Sequence, residues 1–409
     1  MRYVLAAVGC AALLAGCAPE EMTIETMDDL GGWKPVTWGL KESPAEVTLE
    51  LDTSAAEGKG ALRVIGHAGS IYTLGSKYVQ ATPLWNGYDG LAFKVKGDGS
   101  ENFGCVRVRS KEFNNSWIGT FPLTDENWHE VRLAWGDFTP AGGNPELASA
   151  NGAMPSDLDN VAFGKSWTFD PQHTKPEIVM SVDDLRLVRP LKASRRRVSI
   201  DTFPPVPAVV AAMQAGRDVT ILALGDSITA EPGDRAAYPR QIARMLRKRY
   251  ANDRITVVNA AIGGSTTQKA RQWMLRDVAG IQADLVTIMF GFNEQPSSSD
   301  VEGSTDKWIE RMVTYLEEVA ALMDSPPACV ILATIPGRDQ HWRTLDPYAA
   351  AVRKLAEDKR NIAVADVSAH FKAMGKSQYA AYMGDEAHPN KRGQAEMAKV
   401  VFEAIVNAR

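Results

Sequence analysis

Val219-Thr220-Ile221-Leu222-Ala223-Leu224-Gly225-Asp226-Ser227-Ile228-Thr229 sets the reading of the second half of this 409-residue chain. Its first six residues are mostly apolar, with no polar alternation, as in a strand covered on both faces. Gly225-Asp226 then breaks the strand. In an open α/β sheet the reacting groups gather at the carboxyl ends of the strands. A serine between such a turn and a helix can be lifted out of the backbone and aimed at a substrate. The same serine also suits a plain helix cap. Its meaning rests on whether the chain supplies a base, an orienting acid and an oxyanion hole.

The pattern around this stretch predicts a parallel sheet. Further strands are expected at Ile255–Asn259, Leu285–Phe290, Val330–Ile335 and Ile362–Ala365. Helical periodicity lies between them, over Tyr238–Tyr250, Thr267–Ala279, Ser304–Met323, Asp346–Asp358 and Asn390–Val406. Strands alternating with helices give a parallel sheet with helices on both faces.

Three more segments of this half carry chemistry suited to acyl transfer. Asp385-Glu386-Ala387-His388 stands just before the last helix. Imidazole is tuned for proton transfer near neutral pH, so His388 can take the Ser227 proton. Asp385, three residues earlier on the same loop, can accept the other ring N–H and fix the tautomer. Asn259-Ala260-Ala261-Ile262-Gly263-Gly264-Ser265 follows the second strand, and a glycine there, 263 or 264, lets a backbone N–H approach a developing oxyanion. Gly291-Phe292-Asn293-Glu294 follows the third strand, and the Asn293 amide can donate to the same oxygen. All of these segments sit at strand ends or at the entry to the last helix, so they can meet at one rim of the sheet.

Gly225-Asp-Ser-Ile228, Gly264, Gly291-Phe-Asn293 and Asp385-Glu-Ala-His388 resemble the four blocks of the SGNH (GDSL-type) hydrolase family, in family order, over roughly 210–409. The resemblance implies a flavodoxin-like three-layer α/β/α sandwich. It implies Ser227 as nucleophile, His388 as base and Asp385 as acid, with the Ser227 backbone, Gly264 and Asn293 as the oxyanion hole. Glu294 departs from the family, which has aspartate there; the position supports the loop rather than the chemistry. Family members are esterases, lipases, thioesterases and carbohydrate deacetylases, so the resemblance leaves the substrate open. His341 and Trp342, after the fourth strand, are candidates for the pocket mouth or for an exposed loop. His370 reads as packing.

The first half has a different period. Apolar residues mostly alternate, as in Val47-Thr-Leu-Glu-Leu51, Leu91-Ala-Phe-Lys-Val95, Val106-Arg-Val108 and Val131-Arg-Leu133, with turns such as Lys96-Gly-Asp-Gly99 between them. Short alternating strands predict an antiparallel β-sandwich. Seven of the ten tryptophans lie here, and for each of them core packing is the expectation. Tyr88–Gly99, Asn127–Phe138 and Val182–Leu187 resemble the galactose-binding-like jelly rolls, nearest the complex I intermediate-associated protein 30 family and family-11 carbohydrate-binding modules. That resemblance implies a glycan-binding or spacer role; some such jelly rolls hold Ca²⁺, but no ligand set stands out. Lys192–Pro207, with Arg195-Arg196-Arg197 and three prolines, reads as a solvated linker.

Met1–Gly16 reads as an export signal: Arg2, an apolar run from Tyr3 to Leu14, then Leu14-Ala-Gly-Cys17, which looks like a bacterial lipobox with lipidation at Cys17. The run is too short to span a bilayer. Ala18 resembles an outer-membrane sorting signal in Gram-negative bacteria. The expected organisation is a signal over 1–16, a tether over 17–30, a sandwich over 31–191, a linker over 192–207 and a hydrolase domain over 208–409, anchored by lipid in the bacterial cell envelope. The net charge of −5 gives no reason to expect nucleic acid as a partner. No CxxC or HExxH run suggests a metal, and no cofactor is expected. Cys105 and Cys329 fall in different domains and read as buried free thiols. The expected activity is a serine esterase acting on O-acetyl groups of polysaccharides. The alternatives are a lipid esterase or thioesterase, and a glycan-binding lipoprotein with an inactive hydrolase domain.

Overall fold

The computed structural model describes residues 19–38, 45–110, 115–141, 146–149, 152–167, 171–230, 237–295, 302–337 and 341–408. The expected signal and Cys17 lie outside the described residues. No helix among the described residues is long and apolar enough to cross a membrane.

Residues 21–188 form two facing antiparallel sheets. One has the order β3 (Val47–Asp52), β4 (Ala61–Gly66), β12 (Ile178–Val188), β6 (Gly90–Lys96), β9 (His129–Ala134), with β1 (Glu21–Glu25) also paired to β12. The other has the order β10 (Thr139–Pro140), β8 (Ser116–Pro122), β7 (Phe103–Ser110), β11 (Leu158–Lys165), β5 (Tyr72–Tyr78), β2 (Lys34–Trp38). The chain passes between sheets at β1–β2, β2–β3, β4–β5, β5–β6, β6–β7, β8–β9, β9–β10 and β11–β12, which wraps it as a jelly roll. Alternation sends Leu91, Phe93 and Val95 of β6 and Val106 and Val108 of β7 into one core. There Phe93 meets Phe121 and Phe163 edge-on, with centroids 5.1 Å apart in both pairs.

The opposite face of the second sheet is also covered. Leu74, Cys105, Ile118 and Ala162 are buried on it, and Cys105 and Cys329 are both free thiols. This face turns toward the second domain: Thr120 Oγ1 of β8 donates to the Gln272 carbonyl at 3.1 Å.

The second domain holds β13 (Val219–Gly225), β14 (Ile255–Asn259), β15 (Leu285–Met289), β16 (Ala328–Leu332) and β17 (Ile362–Ala365), all parallel, in the order β14-β13-β15-β16-β17. This is the flavodoxin-like order, whose switch point lies above β13 and β15. After the four-residue turn α1 (Pro171–Thr174) in the sandwich, the helices are α2 (Val206–Gln214), α3 (Ser227–Ala230), α4 (Tyr238–Tyr250), α5 (Thr267–Asp277), α6 (Glu302–Ala320), α7 (Trp342–Asp358), α8 (Val367–Ala373), α9 (Lys376–Ala380) and α10 (Lys391–Val406). Val219 and Ile221 pack with residues of α2, α4, α8 and α10; Leu222 and Leu224 share the other core with α6 and α7. Each fully buried aliphatic side chain contributes about 1.5–3 kcal/mol, so the sheet is a rigid platform for the loops at its rim. The short helices α8 and α9 were not expected, since fewer than two turns leave no periodic signal to read.

The stretch 192–207 corrects the expectation of a solvated linker. Asp137 Oδ1 accepts the Ser194 and Arg195 N–H groups at 2.7 and 3.0 Å, and Glu317 accepts those of Val198 and Ile200 at 3.1 and 3.0 Å. Ile200, Phe203 and Val206 are buried, and the last of these already opens α2. The Arg195 guanidinium lies 3.5 Å from Glu318. A local run of arginines looks solvated because its partner carboxylate lies far along the chain. Beside it, Arg271 of α5 grips Glu318 of α6 through two bonds of 2.8 and 2.7 Å and reaches Glu146 of the sandwich at 3.1 Å.

Candidate active site

The turn after β13 is shaped by close approach. A Cβ on Gly225 would stand 2.7 Å from the Met289 carbonyl oxygen on β15, so only glycine fits. Asp226 caps α3: its Oδ1 accepts the Ile228 N–H at 3.0 Å, and its carbonyl accepts from Thr229 and Ala230. Ser227 is therefore the first residue of a short helix whose start is fixed from below. Burial pushes the Asp226 carboxyl up to about 8; the Ile228 N–H pulls against this and the Glu294 carboxylate adds to it. Gln394 of α10 ties the same turn to its neighbours, donating to the Ile228 carbonyl at 2.9 Å and accepting the Tyr238 N–H at 2.9 Å.

The loop before α10 folds on itself. Gly384 N–H donates to the His388 carbonyl at 2.8 Å, and Met383 bridges Pro389. Asp385 Oδ1 accepts the Ala387 and His388 backbone N–H groups at 2.8 and 2.7 Å. The same carboxylate faces His388 Nδ1, at 2.9 Å from Oδ2 and 3.0 Å from Oδ1. The other ring nitrogen, Nε2, is 2.8 Å from Ser227 Oγ. Partial burial works against the Asp385 charge, but these two N–H groups and the His388 ring outweigh it and hold the carboxyl below its ordinary value. Asn390 accepts from Arg392 and Gly393 N–H at 2.9 and 3.2 Å, so α10 begins at a fixed point just past His388.

Two further loops close the rim. After β14, Ile262 N–H donates to the Gly225 carbonyl at 3.1 Å, which draws Gly263 and Gly264 in beside the serine turn. A Cβ on Gly263 would sit 3.9 Å from Ser227 Cβ, and Gly264 takes φ +66°, a conformation that favours glycine. After β15, Asn293 Nδ2 donates one hydrogen to the Ser265 carbonyl at 2.9 Å, and the amide carries a second. Glu294 is half-buried between the loops. Its two oxygens accept Thr267 N–H at 2.7 Å and Gly291 N–H at 2.9 Å, joining the start of α5 to the end of β15. Burial raises its carboxyl against these two bonds. The glutamate therefore sits as a loop support.

His341 packs on Phe292 with centroids 5.3 Å apart and meets Gln295 Oε1 at 3.2 Å, so it borders the Asn293 loop. Trp342 donates to the Gly337 carbonyl at 3.0 Å. His370 faces Glu396 at 3.3 Å, away from this cluster. Sequence reasoning missed Asp226 and Gln394 as supports. Asp226 was within reach as the residue ahead of a helix start; nothing in the pattern around Gln394 marks its role. Among the described residues no group of three or more His, Cys, Asp or Glu side chains could hold a metal ion.

Residues 223–396 match the GDSL-like Lipase/Acylhydrolase family. The match lies within the second domain. An acetylxylan esterase of Geobacillus stearothermophilus is 29% identical to this chain in an alignment of 217 residues that covers 47% of this chain and 96% of that protein. A solved acetylxylan esterase from the same organism gives 23% identity and a TM-score of 0.39, covering 46% of this chain and 94% of its own. A family 11 carbohydrate-binding module from Clostridium thermocellum, solved with a β-1,3-1,4-mixed-linked tetrasaccharide, gives 14% identity and a TM-score of 0.34, covering 43% of this chain and 99% of its own. With this acylhydrolase domain the chain is a carboxylic ester hydrolase.

Proposed function

We propose that this protein hydrolyses O-acetyl esters of polysaccharides through Ser227, His388 and Asp385. The observation that carries the mechanism is the line of contacts from Asp385 to His388 Nδ1 at 2.9 Å and from His388 Nε2 to Ser227 Oγ at 2.8 Å. Ser227 Oγ attacks the ester carbonyl carbon as His388 Nε2 takes its proton. Negative charge develops on the carbonyl oxygen and is met by the Ser227 and Gly264 N–H groups and the Asn293 amide. The C–O bond to the sugar breaks, and His388 returns the proton to the leaving alkoxide. Water then attacks the acyl-enzyme, His388 again taking the proton, and acetate leaves with Ser227 restored. Asp385 holds the His388 tautomer and favours the imidazolium. Its lowered carboxyl suits that task, since it stays ionised while His388 cycles.

The acetyl and polysaccharide parts of the proposal draw on the acetylxylan esterase relative. Ser227→Ala should lower turnover of an aryl acetate roughly 10³-fold or more; purified variant retaining near-wild-type turnover would sink the mechanism. An acyl-length series tests the substrate class: acetyl should be preferred to octanoyl, and the reverse would favour a lipid esterase. We also propose export and lipid anchoring at Cys17 in the cell envelope, on the strength of Leu14-Ala-Gly-Cys17. Cys17→Ser should move the protein from the membrane fraction to the soluble fraction, and an unchanged distribution would refute the anchor.

A further inference from the structure

The sandwich touches the acylhydrolase domain right beside the candidate oxyanion loop. Lys269, in the first turn of α5, places its ammonium 3.5 Å from the Gly264 carbonyl and 3.3 Å from the ring centroid of Trp167, which leaves the sandwich just after β11. The Trp167 carbonyl accepts Trp273 Nε1 of α5 at 3.2 Å, so this residue is held to the second domain at both ring and backbone. Beyond it stands Trp38, at the end of the edge strand β2, with its ring 6.5 Å from that of Trp167 and tilted by 40°. In β-register Trp38 pairs with Tyr72, whose hydroxyl accepts from Arg107. Gly264, Lys269, Trp167 and Trp38 thus form a continuous path from the serine turn onto the sandwich.

Trp38 is 49% exposed, whereas Trp33, Trp85, Trp117 and Trp135 of the same domain are buried. A half-exposed indole costs apolar hydration unless something covers it. Its face is flat, rigid and apolar, a match for the C–H face of a pyranose ring whose hydroxyls point outward to water. We propose that Trp38 is a stacking subsite for a sugar residue of the same polysaccharide whose acetylated unit sits at Ser227, with Trp167 as the positioning residue that sets its distance from the Gly264 loop. This rests on the reading of the site as a polysaccharide esterase. The ammonium of Lys269 fixes one face of Trp167 by a cation–π contact. That leaves Trp38 as the face presented to the polymer. Substrate binding is thereby divided: the second domain holds the ester and the sandwich holds the chain that carries it.

The test compares kcat/KM for acetylated xylan with kcat/KM for 4-nitrophenyl acetate in wild type, Trp38→Ala and Trp38→Phe. Trp38→Ala should lower the xylan-to-aryl-acetate ratio about tenfold, mainly by raising KM for xylan, a loss of roughly 1.4 kcal/mol of binding. Trp38→Phe, which keeps an aromatic face, should recover most of the ratio. An unchanged ratio in Trp38→Ala overturns the subsite while leaving the esterase reading intact. Wild-type protein that cleaves the aryl acetate but no acetylated polysaccharide overturns the polysaccharide reading and the subsite with it.

Discussion

The two domains solve burial in opposite ways. In the sandwich, alternating residues send one face of each strand into a core of Phe93, Phe121 and Phe163. In the second domain the central strands β13, β15 and β16 are almost wholly apolar, because helices cover both faces. A parallel sheet ends all its strands at one rim, so Ser227, Gly264 and Asn293 arrive together, and the last loop adds Asp385 and His388. Antiparallel strands end at both rims and gather no such set. The sandwich instead offers a broad face, and that face grips α5, the helix that begins directly after the Gly264 loop, through Thr120, Trp167 and Glu146. The domain that carries no proposed chemistry thus steadies the loop beside it.

Three experiments bear on that division of labour. The largest effect is expected at Asp385→Asn, which leaves His388 without its orienting carboxylate and should lower kcat on an aryl acetate roughly 10³–10⁴-fold. A loss below about tenfold would mean that the loop itself, through its backbone bonds, holds His388 in place. Next comes Arg271→Met. It strips Glu318, itself buried, of its bidentate partner and cuts the tie to Glu146. The cost should be about 3 kcal/mol in urea unfolding, toward the low end for a broken buried pair because Arg195 still faces Glu318. An unchanged midpoint would show that the two domains stand without this seam. The smallest effect is a pH dependence. Native Asp226 keeps its proton to about 8, while the unfolded chain releases it near 4, so stability falls with rising pH across that window. Asp226→Asn removes this fall. Its Tm relative to wild type should therefore rise between about pH 5 and about pH 8, by calorimetry; a constant difference would show that Asp226 is already ionised in the native protein.

Much of the second domain was legible before its structure. Ile255–Asn259, Ile362–Ala365 and Tyr238–Tyr250 have the bounds their periodicity predicts. The other strands end within a residue to three of expectation, where hydrogen-bonded pairing rather than hydropathy sets the limit. Ser227, His388 and Asp385 were named from residue type and position, and they lie in hydrogen-bond contact. What stayed hidden depends on partners distant in sequence. Arg195 read as solvated until Glu318 stood beside it. Trp38 and Trp167 read as core, since nothing local separates a tryptophan that fills a sandwich from one that reaches across a seam.

By itself, then, the amino-acid order determined the two periods, the strand-to-turn placement of Ser227 and the order of the segments that surround it. Those features are local: a few neighbouring residues fix a strand, a cap or a glycine turn. Tertiary structure alone decided that Glu294 bridges two loops, that Gln394 pins the serine turn, that 192–207 is strapped down and that the sandwich reaches the Gly264 loop. Each of these is a contact between segments that only folding brings within hydrogen-bond or ring-contact distance, and burial raises the carboxyls of Asp226 and Glu294 only once the loops of the second domain have closed around them.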